Sequence, residues 1–132
     1  MHGACALKQA APAAPTAAQL SGSRAELDAR LLLQEAGVAY VAANVRYKVG
    51  ELDLVMRDGA TLVFIEVRTR RSRGFGGAAA SIDHRKRLRI QRAASRYLLE
   101  HFGQNAWPEC RFDVVAFESG RPNWIKGAFD AK

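Results

Sequence analysis

The segment from Gly50 to Arg71 reads G-E-L-D-L-V-M-R-D-G-A-T-L-V-F-I-E-V-R-T-R-R. Two runs rich in Val, Leu, Ile and Phe flank Asp58-Gly59, which is a strong signal for a tight β-hairpin. Strands gain stability by burying at least one face, and both runs carry an acid, Asp53 in the first and Glu66 in the second. A carboxylate among buried aliphatic side chains is costly unless something binds it. The chain must therefore form this hairpin and also give its two acids a partner.

Counting the register shows where those acids go. With Asp58 and Gly59 as the central turn residues, Arg57 pairs with Ala60 and Asp53 lies opposite Phe64. Side chains alternate along a strand, so Glu66 shares that face, on a diagonal of about 7 to 8 Å. A turn centred on Gly59-Ala60 sets Asp53 and Glu66 directly opposite; a three-residue loop reverses one face and separates them. Under either two-residue turn, Glu51, Asp53, Glu66 and Arg68 form one cluster. Carboxylate oxygens are the ligands that Mg²⁺ prefers, and this ion usually takes one or two of them while keeping waters or substrate phosphate.

The rest of the chain supplies two helices and further strands. A first helix is expected from Ser23 to Glu35, with Leu27, Leu31 and Ala36 inward, joined by Leu32 and Leu33, and Gly37 stopping it, and Ser23-x-x-Glu26 reads as a capping box. A strand from Val38 to Tyr47 leads into the hairpin, whose strands span about Glu51–Arg57 and Thr61–Arg70. A Gly-rich basic loop follows, and a second helix over 84–102, capped by Ser81 or Asp83, turns Ile90, Ala94, Tyr97, Leu98 and His101 inward. Cys110–Phe117 reads as another strand, and Trp124, Ile125 and Phe129 are expected to close the core. Trp107 and Phe102 read as core or cap residues.

Residues 1–20, rich in Ala and broken by Pro12 and Pro15, read as a disordered tail, with one domain over 21–132. Lys8 and Gln9 interrupt the apolar core that a signal peptide needs, and no apolar run is long enough for a bilayer. Neither Cys5 nor Cys110 belongs to a disulfide framework or a Cys-x-x-Cys metal pair. The expectation is a cytoplasmic protein without a membrane partner.

Lys and Arg number 20 against 13 Asp and Glu, a formal charge of +7. That excess points to a polyanion, nucleic acid before any other. Arg85, Arg89, Arg92 and Arg96 recur at helical spacing, flanked by Lys86 and Arg87, and Arg70, Arg71 and Arg73 lie at the Gly-rich loop. Arg70, Arg71, Arg73, Arg85, Lys86, Arg89 and Arg92 are the expected phosphate contacts. The plainer alternative is a solvated face of a basic protein.

G-E-L-D-L-V, V-F-I-E-V-R-T-R-R, F-G-G-A-A-A-S, C-R-F-D-V-V-A-F and W-I-K-G-A-F closely resemble the bacterial YraN family, from about Glu26 onward. That family resembles the PD-(D/E)xK superfamily, restriction-endonuclease-like proteins related to Holliday-junction resolvases. The resemblance implies an α/β fold with a restriction-endonuclease-like core, a mixed β-sheet flanked by α-helices. It also implies a Mg²⁺- or Mn²⁺-dependent DNA endonuclease that hydrolyses phosphodiesters, with branched DNA as a substrate and a homodimer by analogy with resolvases. In that pattern Asp53 takes the aspartate position, Glu66 the second acidic position, and Glu26 the helix acid that joins the metal. Arg68 stands where Lys is usual, a donor and fixed charge that cannot give up its proton.

Two alternatives stay open. Asp53 and Glu66 can instead be neutralised by ion pairs with Arg70 and Arg68, and Glu26 can serve only as a cap. A nucleic-acid-binding module of the same fold that does not cut its ligand is the functional alternative.

Overall fold

A computed structural model of the chain describes residues 17–70 and 82–129. In chain order it forms α1 (Ala17–Glu35), β1 (Ala39–Tyr47), β2 (Gly50–Asp58), β3 (Thr61–Arg70), α2 (His84–Phe102), β4 (Cys110–Glu118) and β5 (Arg121–Phe129). The expected tail up to residue 16 and the loop with Arg71 and Arg73 lie outside the described residues, and residues 17–20 belong to α1.

The strands make one mixed sheet in the order β1-β2-β3-β4-β5. β3 and β4 run parallel, joined through α2, and every other neighbouring pair is antiparallel. Two helices on a mixed five-stranded sheet are consistent with a restriction-endonuclease-like α/β core. α2 covers one core, where Ile90, Ala94, Tyr97 and Leu98 meet Val55, Phe64 and Phe112. α1 covers the other, where Ala29 and Leu33 meet Leu54, Met56, Val63 and Ile65.

The periodicity argument holds for α2, and in α1 it holds for Leu32 and Leu33 and fails for Leu27 and Leu31. Ile90, Ala93, Ala94, Tyr97 and Leu98 are buried as the helical period requires, Asp83 caps the N-terminus by accepting from the Lys86 N–H, and Gly103 closes the C-terminus. His101 is exposed, its ring stacked on Tyr97 at 4.0 Å. In α1, Leu27 and Leu31 face outward at 48% and 51% exposure, and the buried stripe is Ala25, Ala29 and Leu33. Small residues at that spacing let the helix axis approach the sheet, where a leucine at every turn would hold it off. The Ser23–Glu26 capping box is also overturned: α1 begins at Ala17, so Ser23 lies within the helix and its neighbouring backbone N–H groups are not orphans. Phe102 and Trp107, expected as core or cap residues, are exposed, and the Trp107 indole N–H donates to the carbonyl of Gly103 at the end of α2.

At the hairpin, Asp58 pairs with Thr61, so Gly59 and Ala60 make the turn. Gly59 takes a φ of 62° at the first central position, which suits a two-residue turn led by glycine. Asp58, expected in the turn, is a strand residue whose carboxylate accepts from Arg111 on β4 at 3.1 Å. The shift of one residue replaces the diagonal with the direct register.

Two local features hold the sheet to its surroundings. Gly50 opens β2 beneath α2, and a Cβ there would overlap the carbonyl of Arg89. A Gly50→Ala variant is expected to lose about 1–3 kcal/mol, the usual range for overpacking against unyielding atoms, read as a lower urea midpoint. On β4, Asp113 is fully buried and accepts from Arg111 Nε and Nη2, the Trp124 indole N–H and the Gly127 N–H. This carboxylate ties the irregular middle of the β4–β5 pair together.

Candidate active site

The ladder of β2 and β3 runs from Asp58↔Thr61 to Leu54↔Ile65, and one more step brings Asp53 across from Glu66. Asp53 Oδ2 accepts from the Val67 N–H at 2.9 Å, which fixes its carboxyl at the mouth of the hairpin. The Asp53 and Glu66 carboxyls also hydrogen-bond each other, so the two titrate as a pair. Glu66 is only 5% exposed.

Two cations close on Glu66. Lys86 Nζ of α2 stands 3.3 Å from its Oε2, and Arg68 Nη1 of β3 stands 3.6 Å from the same oxygen. From α1, half-buried Glu26 faces the group and senses the charge of Asp53. These side chains line a cleft of about 320 Å³ between the two helices, together with Ala25, Val67 and Thr69. Glu51 sits at its edge and lines a neighbouring recess with Arg85, Lys86 and Arg89.

The electrostatics follow from burial. Loss of water, then the Asp53 charge, push the Glu66 carboxyl up to about 7. Burial also raises Asp53, opposed by the Val67 hydrogen bond, and burial with the Asp53 charge raises Glu26. Three neighbouring acids are thus held above their ordinary range, as happens where carboxylates share a dry site with too little positive charge.

A hard divalent ion would meet that demand. Among the described residues no group of three or more His, Cys, Asp or Glu side chains is set to enclose a metal ion. Mg²⁺ does not need such a cage, since one or two carboxylates with water and phosphate oxygens suffice. Asp53 and Glu66 fit that donor set, and Glu26 lines the same cleft.

The sequence profile of the "Uncharacterised protein family UPF0102" matches residues 25–117, a span that contains every side chain of the cleft. The chain belongs to the UPF0102 family. A UPF0102 protein of Xanthomonas campestris pv. campestris (strain B100) is 52% identical over 118 residues, covering 87% of this chain and 95% of the relative. One from Burkholderia ambifaria is 50% identical, covering 92% of this chain and 96% of the relative, and one from Serratia proteamaculans is 49% identical over 83% and 94%. The YraN resemblance is therefore a family relationship along most of the chain.

Within this UPF0102 fold the expected residues divide. Asp53, Glu66, Arg68 and Glu26 converge on the cleft. Of the expected phosphate contacts, Arg85, Arg89 and Arg92 are exposed on α2, Arg70 ends β3, and Arg71 and Arg73 lie outside the described residues.

Lys86, read as one more outward cation, points instead into the site. Its signal was present in the sequence: Lys86, Ile90 and Ala94 recur at intervals of four, so the lysine extends the buried stripe of α2 by one turn. Asn44 was also missed. It holds a left-handed φ of 54° within β1 and hydrogen-bonds Glu26, while its neighbours Ala43 and Val45 pair with Leu54 and Leu52, on either side of Asp53. Asn tolerates that conformation better than most residues.

Proposed function

We propose that this UPF0102 protein is a divalent-metal-dependent DNA endonuclease that hydrolyses phosphodiesters, acting in the cytoplasm on DNA that includes branched forms. The observation that carries the reading is the hydrogen-bonded Asp53–Glu66 pair in a polar cleft, with Lys86 and Arg68 against Glu66. Asp53 and Glu66 would hold Mg²⁺ or Mn²⁺. Such an ion supplies an activated water and charge stabilisation at the leaving oxygen.

The chain's own groups divide the remaining work. Val67 N–H orients Asp53, and Asn44 orients Glu26. Glu26, which lines the helix side of the cleft, would accept a hydrogen bond from the attacking water. Arg68 is a fixed donor for a phosphate oxygen. Lys86 puts a lysine where Arg68 leaves the motif without one, and a lysine can exchange its proton. Arg85, Arg89 and Arg92 extend positive charge away from the cleft along α2, which suits a DNA backbone.

A non-cutting module of the same fold is the second reading, favoured by Arg68 and its ion pair with Glu66. Metal binding separates the two. At pH 8, Mg²⁺ or Mn²⁺ at a hundred times its dissociation constant is expected to stabilise the protein by about 2.7 kcal/mol, read as a higher melting temperature. Asp53→Asn should abolish the rise. A wild-type protein with no rise in either ion would overturn the metal reading.

A further inference from the structure

The outward face of α2 does not end in solvated charge. Along the helix Leu88 and Leu99, with Val49 from the β1–β2 turn and Trp107 beyond the helix, line an open groove of about 540 Å³ rimmed by Arg92 and Arg96. Leu99 is 45% exposed and Trp107 44%. A helix face that only meets water carries polar residues at such positions, and a contiguous exposed apolar patch with a polar rim marks a binding surface.

We infer that this groove binds an unpaired nucleotide of single-stranded DNA, with a base against Trp107 and Leu99 and its phosphates on Arg92 and Arg96. Three observations together favour a nucleotide. First, the rim is cationic and no acidic residue lines the groove among the described residues, which suits an anion and disfavours a second copy of this basic chain. Secondly, the indole N–H of Trp107 already donates to the Gly103 carbonyl, so the ring has its apolar surface left to offer. Bases of any sequence stack on such a surface while arginines track the backbone.

Thirdly, the groove lies further along the same helix that lines the candidate active site. Lys86 lines the carboxylate cleft and, with Arg85 and Arg89, the adjoining recess; Arg92 and Arg96 carry the same helix face into the groove. From Lys86 to Arg96 the rise is about 15 Å, a distance that a few nucleotides of single strand cover. The inference rests on the reading of the cleft as a phosphodiester site and adds a substrate class to it: DNA with an unpaired stretch next to the scissile phosphate. Duplex DNA keeps its bases stacked inside and offers this groove only phosphates.

The test is binding in EDTA, where no metal-dependent cleavage interferes. Two fluorescent DNAs with equal numbers of phosphates are compared by anisotropy, a blunt duplex and a duplex with a single-stranded tail. The tailed DNA should bind about tenfold more tightly, with tryptophan fluorescence quenched. Trp107→Ala should erase that preference and leave blunt-duplex affinity within about twofold. Leu99→Glu serves as a second, independent variant, with circular dichroism confirming that each is folded.

Equal affinity for the two DNAs, or a preference that survives both substitutions, would overturn the inference. So would an acidic peptide of matched charge competing as well as the single strand, or a wild-type dimer that Leu99→Glu converts to monomer. Because no cation is present, failure here leaves the metal reading of the cleft intact, and absence of cleavage elsewhere leaves this groove intact.

Discussion

Asp113→Ala is expected to remove about 2–4 kcal/mol of stability, because it takes away a buried carboxylate that accepts four hydrogen bonds, two of them from a cation. The carboxylate is fully buried and satisfies the Arg111 guanidinium at 2.9 and 3.1 Å, the Trp124 indole and the Gly127 amide. Truncation takes this acceptor from the indole and the amide and leaves Arg111 with Asp58 alone. Since a domain's whole stability is about 5–15 kcal/mol, the loss takes a large share of it. Urea unfolding followed by tryptophan fluorescence would read it, and Asp113→Asn, which keeps one acceptor, should lose less. A deficit below about 1 kcal/mol for the alanine variant would show that β5 is held by apolar contacts such as Phe112 on Phe129 instead.

Glu66 gives the second large effect, and its sign is set by the direction of its shift. Its folded-state value of about 7 lies above the ordinary glutamate range because of burial and the Asp53 charge. Between about 4.3 and 7 the folded protein holds a proton that the unfolded chain has released. The stabilisation is therefore complete below the ordinary glutamate range and is lost as pH rises through about 7. It amounts to up to roughly 3 kcal/mol, or a fall in melting temperature of about 10 °C. Asp53 is shifted in the same direction and adds to the trend. Glu66→Gln keeps the shape without the charge, so in metal-free buffer its melting temperature should stay flatter and exceed wild type at pH 8. Parallel profiles for the two proteins would mean that Lys86 and Arg68 already compensate the carboxylate in full.

How far the sequence reached depended on whether a pattern or a distance was needed. The hairpin, both strand boundaries of β3 and the extent of α2 were legible because alternation, glycine and helical period are local properties. The convergence of Asp53 and Glu66 was legible as well, since either two-residue turn puts both on one face. Which turn forms was not, and in the folded chain Asp58 is a ladder residue that also meets Arg111 of β4, a tertiary contact. The inner face of α1 was misread for a related reason. Hydropathy favours Leu27 and Leu31, yet close packing on the sheet selects Ala25 and Ala29. Lys86 reaches Glu66 because its spacing from Ile90 sets it on the inner side of α2, which its charge does not show. Nothing in the sequence could reveal that Glu26 is freed from capping, because that depends on α1 beginning upstream at Ala17.

Cleavage itself bears most directly on the proposal that the cleft performs metal-dependent phosphodiester hydrolysis. End-labelled branched and single-strand-tailed DNAs would be incubated at pH 8 with Mg²⁺ or Mn²⁺, using wild type, Asp53→Asn, Glu66→Gln and Lys86→Met. The account predicts metal-dependent cuts by wild type, loss to background in both carboxylate variants, and a fall of about 10²-fold or more for Lys86→Met. Tight DNA binding by a wild-type protein that leaves every substrate uncut with either ion, or cleavage that persists in Asp53→Asn and Glu66→Gln, would contradict it.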